Sequence, residues 1–426
     1  MNEVNQILEK YSLTKIKYNL FRIKQLIKLA NINLSKIKFI HITGSKGKGS
    51  TAFYISKFLE SAGLKVGLFT SPHILDVLER IKINSKKITT KEFCIIYNRY
   101  KLIIEKIKPS YFELITFIAI VHFAENKIDW AVMEVGLGGR LDATNIIKSE
   151  IAIITNIELE HTKILGNSKT KILKEKREII KKETKFCITG LSSKYLIKEL
   201  EEYCKKKKVK LIICSKFSKY EIKNKKLNYE DANIKIPNIK INQNVYYQLK
   251  NILIALNAIS LTNNYYQISY DFNLIKKIIE KENIFGRYTI IKKFIKKKDI
   301  MIDCAHTPES IRKLITNIDK NKYSKILIIF NCLKDKKYKI MLNELIKLSK
   351  KIYIMKIDNE REIKYEKLEK YIKTKKIKTK LLVSFKELKE IDLEEIDLIL
   401  VTGSFYLIAK FCEEYKEIIN RKKYLI

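Results

Sequence analysis

Glycine is scarce in this chain, and its placement restricts how the chain can fold. Nine of the twelve glycines fall in five places: Gly44, Gly47 and Gly49; Gly136, Gly138 and Gly139; and the single positions Gly166, Gly286 and Gly403. A residue without a Cβ lets the backbone turn sharply or come close to a ligand. Several of these glycines stand where a short apolar run gives way to an amphipathic one. KFIHIT (38–43) runs into Gly44, and STAFYISKFLESAG then reads as a helix stopping at Gly63. VGLFT, DWAVMEV and IAIITNI are further buried strand candidates, and long helices fit 90–107, 193–208 and 247–260. Such alternation predicts an α/β protein, with a mostly parallel sheet covered by helices on both faces.

The stretch 215–245, rich in Lys, Asn and Tyr, has no clear period and receives no assignment. From Gly286 the alternation restarts: YTIIKKF and IMIDCA, a helix from Pro308, then ILIIFNC, KIYIMKI and LILVTG with helices between and after them. A boundary is therefore expected near 285, with a larger domain over 1–285 and a smaller Rossmann-like α/β domain over 286–426.

Lys and Arg number 86 against 47 Asp and Glu, a formal charge of +39 that invites a nucleic-acid reading. The lysines, however, are spread over the whole chain, with only short runs at 205–208 and 296–298, and they accompany an excess of Ile and Asn. Arginine, the usual base-reading residue, is rare beside lysine. A solvated, lysine-rich surface with no specific nucleic-acid partner is the favoured reading. No apolar run reaches the roughly 18 residues of a membrane span. The N-terminal twenty residues carry acids and lack an apolar core, so they read as an amphipathic helix and not a signal peptide. Seven scattered cysteines without a C-x-x-C suggest neither a disulfide framework nor zinc, which fits a reducing cytoplasm.

The segment Gly44-Ser45-Lys46-Gly47-Lys48-Gly49-Ser50 follows a strand and opens a helix. In that context backbone N–H groups and the helix N-terminus can hold phosphate oxygens, with Lys48 as a point charge. The spacing is not the standard G-x-x-x-x-G-K-[ST], because Gly49 separates the lysine from Ser50. A lysine-rich turn before a helix is the bland alternative. Further polar candidates stand at strand ends: Ser71 after VGLFT, Glu134 ending DWAVM, and His161 after IAIITN. Ligands of open parallel sheets gather outside the carboxyl ends of the strands. A hydroxyl, a carboxylate and an imidazole converging there would suit a divalent ion, although imidazole is unusual for Mg²⁺ and each residue alone is an ordinary strand-end polar group.

Lys176 lies four residues after Ile172, three after Leu173, three before Ile179 and four before Ile180. At helical spacing this places it on the apolar stripe. Either the side chain snorkels to solvent, or its amine is desolvated, with a lowered pKa that lets it take up CO₂ as a carbamate.

Taken in order, HITGSKGKGS, FTSPHI, ERIKIN, YFELITF, MEVGLGGRLDATN, ITNIELEHTKILG, EKREIIK, YQLKNILIAL, FGRY, DCAHTPES, FNCLKDK and VTGSFYL resemble the folylpolyglutamate synthase and dihydrofolate synthase family of the Mur ligase superfamily. The resemblance covers nearly the whole chain. It implies a P-loop ATPase domain followed by the C-terminal ligase domain, with Ser45, Lys46, Gly47, Lys48, Gly49 and Ser50 holding ATP. Ser71, Glu134 and His161 match Mg²⁺ ligands, Lys176 matches a carbamylated lysine, and two Mg²⁺ ions are implied. Asn251, Arg287 and Asp303 match nucleotide contacts, with His306 beside them as the candidate base. Ser110, Tyr111, Phe112 and Glu113, together with Leu141, Asp142 and Ala143, match positions that bind the pterin substrate in bifunctional members.

The implied reaction is ATP-dependent amide formation between a pteroate or folate carboxylate and L-glutamate, through an acyl phosphate. Lys48, Lys176 and His306 carry the chemistry, in a monomeric cytoplasmic enzyme. Departures are Lys46 for Asn in the loop, Glu160 for Asp, Tyr247 for the His of a His-Gln pair, Phe285 for Pro, and Cys304 and Thr307 within Asp-Gly-Ala-His-Asn. They leave the C-terminal substrate contacts less secure. Two rival readings remain. One is a Mur-type ligase acting on a peptidoglycan precursor; the other is a basic nucleic-acid-binding protein on a decayed ligase scaffold.

Overall fold

The computed structural model describes residues 3–12 and 19–416. The N-terminal amphipathic segment is helical over Glu3–Ser12, and its part from 13 to 18 lies outside the described residues. The chain divides into two compact units. The first comprises Met1–His73, Val77–Lys240 and Gln248–Lys281; the second comprises Ile74–Asp76, Ile241–Tyr247 and Glu282–Ile426.

The first unit is built on an eight-stranded sheet. In chain order its strands are β1 (Lys38–Thr43), β2 (Val66–Phe69), β3 (Ile81–Ile83), β4 (Lys86–Lys87), β5 (Trp130–Glu134), β6 (Ile151–Ile154), β7 (Phe186–Thr189) and β8 (Lys210–Ile213). Across the sheet they run β4-β3-β2-β5-β1-β6-β7-β8. All neighbours from β2 to β8 are parallel, and β3 and β4 add an antiparallel edge. Strands covered on both faces read as unbroken apolar runs, which is why β1, β5 and β6 were legible. Register then sets the site: Ile42 pairs with Glu134 and Thr43 with Ile154, so Gly44 and Thr155 leave the sheet side by side at its carboxyl edge, where Glu134 ends the neighbouring strand.

Helix Tyr111–Glu125 is buried without interruption from Glu113 to Phe123 and packs in the core cluster that holds Phe39, Phe69, Ala131 and Met133. The helix expected over 90–107 is two helices, Thr90–Arg99 and Lys101–Ile107. They break at Tyr100, whose ring stands edge-on to Phe117 at 5.5 Å.

The unassigned stretch 215–245 is a three-stranded antiparallel sheet of β9 (Ser218–Lys223), β10 (Lys226–Asp231) and β11 (Lys235–Lys240). Its period was hidden for physical reasons. Strand β9 has almost no buried face, and β11 carries Pro237 and a left-handed Asn238 that put the buried Ile236 and Ile239 three apart. Asn257 of helix Gln243–Tyr266 ties this sheet down, donating to Ser218 Oγ (3.0 Å) and Tyr229 OH (3.2 Å).

The second unit has a six-stranded sheet in the order β12-β13-β17-β14-β15-β16. Its strands are β12 (Thr289–Ile295), β13 (Lys298–Asp303), β14 (Ile326–Phe330), β15 (Lys351–Met355), β16 (Leu381–Leu382) and β17 (Leu398–Thr402). Strand β12 is antiparallel and the rest are parallel. On β17, Ile399 and Val401 join one apolar cluster while Leu398 and Leu400 join the other, so both faces are covered. Among the described residues no helix is long and apolar enough to cross a membrane.

Candidate active site

The loop after β1 turns on two left-handed glycines, Gly44 (φ 146°) and Gly47 (φ 81°). A Cβ at Gly44 would fall 1.9 Å from Thr155 Oγ1, and one at Gly47 would fall 2.2 Å from Asn251 Oδ1. Neither position tolerates a side chain. The segment after β6 clamps the loop: Ser45 N donates to Asn156 O (3.0 Å), Lys46 N to Asn156 Oδ1 (2.8 Å), and Thr155 Oγ1 to Lys46 O (2.6 Å). The first two loop amides are therefore spent on the protein. Anion-holding capacity passes to the start of helix Lys48–Ser61, whose N-cap Gly47 supplies no side-chain cap. Lys48 folds back to donate to Gly44 O at 3.0 Å.

Lys176, on helix Lys169–Arg177, is 1% exposed, so the snorkelling alternative does not hold. The helix ends before Ile179 and Ile180, but turn hydrogen bonds from Ile179 N to Lys176 O and from Ile180 N to Arg177 O keep both residues inward. The Lys176 amine donates to the same Gly44 carbonyl at 3.0 Å and lies 2.9 Å from Glu160. Burial pushes its pKa down to about 8; Lys48 acts in the same direction and Glu160 opposes. Burial works to raise the Glu160 carboxyl, but Lys176 and Lys48 outweigh it and hold the group below its ordinary value. In the sequence Glu160 stands out only as a departure from Asp, although an acid directly before His161 is itself a signal of a polar site.

Glu134, 4% exposed at the end of β5, accepts Ser71 N at 2.9 Å through Oε2. A Cβ on Gly49 would lie 3.0 Å from that oxygen, so the helix start leaves a cradle in front of the carboxylate. Two hard oxygen groups beside such a cradle suit Mg²⁺. His161 stands on an exposed left-handed turn (φ 46°), seven residues beyond the end of β6, at the N-terminus of Thr162–Leu165. Among the described residues no three of His, Cys, Asp and Glu cluster as a metal cage.

The segment 110–113 divides by role. Ser110 and Glu113 form a capping box for Tyr111–Glu125, and Glu113 also lies 3.6 Å from Arg22. Tyr111 and Phe112 are half-buried; the Arg80 guanidinium lies over the Tyr111 ring at 5.6 Å, and Arg80 Nε donates to His73 Nδ1 at 3.0 Å. Asp142 is 6% exposed, and its carboxylate accepts Leu137 N (2.8 Å), Thr144 N (3.0 Å) and Thr144 Oγ1 (2.6 Å). Burial raises its pKa against these bonds. Leu141 is half-buried, and Ala143 is buried at the start of the turn that follows.

In the second unit, the Arg287 guanidinium lies 5.0 Å over the Phe405 ring, and the His306 ring packs on Phe405 at 5.6 Å. Asp303 is 1% exposed and accepts Tyr288 N and Ala305 N, each at 2.8 Å; burial raises its pKa and Arg287 opposes. His306 Nδ1 lies 2.9 Å from Cys304 O.

A phosphate-type loop at the carboxyl edge of a parallel sheet, followed by a second α/β unit, is the arrangement of a nucleotide-binding α/β protein. The Mur ligase middle domain matches residues 42–259, and the Mur ligase glutamate ligase domain matches 286–405. At 30% identity over 413 residues, the chain is similar to dihydrofolate synthase/folylpolyglutamate synthase of Buchnera aphidicola (subsp. Schizaphis graminum), with 95% of this chain and 94% of that protein covered. The chain belongs to the dihydrofolate synthase/folylpolyglutamate synthase family. Among solved structures, folylpolyglutamate synthase from Thermotoga maritima superposes with a TM-score of 0.83 at 26% identity, covering 97% of this chain and 96% of that one. The bifunctional enzyme of Yersinia pestis, complexed with AMPPNP and Mn ion, shares the fold with a TM-score of 0.82 at 23% identity, covering 96% of each chain.

Proposed function

We propose that this protein is an ATP-dependent ligase that adds L-glutamate to dihydropteroate and to (poly)glutamyl tetrahydrofolate, as a bifunctional, cytoplasmic and monomeric enzyme. Residues 1–285 form the ATP- and pteroate-binding domain, and 286–426 the C-terminal ligase domain. The observation that carries the reading is the meeting of Lys48 and Lys176 at Gly44 O, at the mouth of a helix without a side-chain cap and at the same sheet edge as Ser71 and Glu134. That combination suits a nucleotide triphosphate with its metal.

The acceptor carboxylate attacks the γ-phosphorus of ATP, giving an acyl phosphate and ADP. The amine of glutamate then attacks the acyl carbon, and phosphate leaves. Lys48 and the amides at the start of Lys48–Ser61 hold and orient the phosphates, stabilising charge that develops during transfer. Asn251 supports the loop from its contact at Gly47. Ser71, Glu134 and His161 would hold Mg²⁺, which supplies charge neutralisation on the phosphates when bound. Lys176, whose amine burial brings down to about 8, would take up CO₂ with loss of a proton, and the resulting carbamate would hold a second ion. In the second unit Arg287 and Asp303 serve the nucleotide, and His306 is the candidate to receive the proton of the glutamate amine. Tyr111, Phe112, Leu141, Asp142 and Ala143 receive the pterin, with Ser110 and Glu113 shaping that helix start.

The test is phosphate release with Mg·ATP and glutamate, comparing dihydropteroate, tetrahydrofolate and no acceptor. Turnover with both acceptors is expected. Turnover with tetrahydrofolate alone would reduce the enzyme to a polyglutamylase. Silence with both, in folded protein that binds ATP, would overturn the substrate assignment; UDP-linked muramyl substrates would then be tried.

A further inference from the structure

Two buried side chains that the mechanism above does not use, His41 of β1 and Thr144 of the turn after Asp142, form a hydrogen-bonded line that ends on the Asp142 carboxylate. His41 sits within β1 and is fully buried, paired in register with Met133 and Ala152. Its Nε2 lies 2.9 Å from Thr144 Oγ1, and Thr144 Oγ1 lies 2.6 Å from Asp142 Oδ1. The direction follows from proton counting. The Thr144 hydroxyl has one hydrogen, and the carboxylate can only accept it. Towards His41 the hydroxyl must therefore accept, so His41 carries its proton on Nε2. Its Nδ1 is then bare, in keeping with that atom being buried without a hydrogen-bond partner.

The imidazole stays neutral. Burial pushes its pKa down to about 3, and Lys181 adds to the effect. Lys181 is held in place by donating to Asn145 O and Ile147 O, both at 2.6 Å, on the same turn as Thr144. The charged groups that bear on the line are thus Lys181 towards His41 and Lys176 towards Asp142. At the far end, a Cβ on Gly136 would come within 3.1 Å of Asp142 Oδ2 and 2.6 Å of Phe112 Cζ. The missing Cβ thus lets the Gly136 backbone pack directly against the Phe112 ring and Asp142 Oδ2, the oxygen that also accepts Leu137 N at 2.8 Å, so the two side chains assigned to the pterin lie on one glycine.

We propose that Thr144 and His41 are positioning residues for the acceptor substrate: donating in the order His41, Thr144, Asp142, they keep the Asp142 carboxylate oriented to accept the N–H edge of the pteroate. This rests on the reading of the protein as a pteroate-accepting ligase.

The test has two arms. In the first, Thr144→Val removes the hydroxyl at nearly constant shape, and Thr144→Ser restores it. Thr144→Val is expected to raise KM for dihydropteroate about tenfold. It should leave KM for ATP and kcat nearly unchanged, and Thr144→Ser should behave as wild type. A dihydropteroate KM unmoved in Thr144→Val, or an ATP KM that rises with it, overturns the proposal. The second arm needs neither turnover nor a variant that folds. ¹⁵N spectra of histidine-labelled wild-type protein should show His41 as a neutral Nε2–H tautomer from pH 5 to pH 8. An Nδ1–H tautomer, or titration in that range, overturns the relay. If the wild type ignores dihydropteroate, it is the functional reading that falls, and the imidazole spectrum still decides the relay.

Discussion

At the scale of single residues, what matters is which buried groups keep their charge. His41 is neutral when folded, because burial and then Lys181 lower its pKa to about 3. Unfolded, it binds a proton near the ordinary pH of 6.5. The folded state therefore carries fewer protons between these values, and stability falls as pH drops from about 6.5 towards 3, by at most about 1.4 kcal/mol per unit. His41→Asn should lack this component. Its stability deficit relative to wild type, measured by urea unfolding, should narrow from pH 7 to pH 4; a constant deficit would contradict a buried neutral imidazole. Gly47 makes a second residue-scale prediction. Gly47→Ala places a methyl 2.2 Å from Asn251 Oδ1 at a φ of 81°. Adding Asn251→Ala relieves the clash but not the left-handed strain, worth about 1–2 kcal/mol. Calorimetry with ADP should show binding weakened more than tenfold in the single variant and only partly recovered in the double one.

At the scale of elements, the helix carrying Lys176 is set by the loop against it. A Cβ on Gly139 would lie 2.8 Å from the carbonyl oxygens of Glu175 and Lys176 and 3.0 Å from Lys176 Cα. Arg140 N also donates to Glu175 O at 2.9 Å. Gly139→Ala must therefore displace the backbone at Glu175 and Lys176, and it reaches the Gly44–Ser50 loop only through the Lys176–Gly44 O hydrogen bond. ADP affinity is expected to stay within about threefold of wild type while ligase turnover falls at least tenfold, on the general cost of misplacing a catalytic group. Equal losses in both would mean that the helix does not move alone. The inward face of this helix was legible because Ile172, Leu173 and Lys176 share its buried stripe. The carboxylate meeting Lys176 was not, because Glu160 comes from the loop after β6 and only register brings it there.

At the scale of the molecule, a charge of +39 must show in solution. Binding to DNA of any sequence is expected at low salt, and anisotropy should show it falling at least about a hundredfold between roughly 50 and 200 mM salt. Sequence-selective binding that survives at the higher salt would revive the nucleic-acid reading. The two-unit architecture was legible as two blocks of strand–helix alternation. The antiparallel sheet of β9, β10 and β11 was not, because only β10 alternates its buried residues, Leu227 and Tyr229, while β9 buries almost none and those of β11 stand three apart.

By itself the sequence determined the strand runs, the glycine turns, the inward lysine and the order of motifs that marks the family. Each is a local signal, set by burial on two faces, by a missing Cβ or by helical spacing. Only the tertiary structure decided that Lys48 and Lys176 share one carbonyl and that the first loop amides are spent on Asn156. It also decided that Ser110 and Glu113 cap a helix, and that His41, Thr144 and Asp142 form one line. These pairings join residues from two to 132 positions apart, and strand register brings the distant ones together. Hydrogen bonds form only where donor and acceptor are brought within about 3 Å. Helical or strand periodicity along the chain carries no record of that meeting.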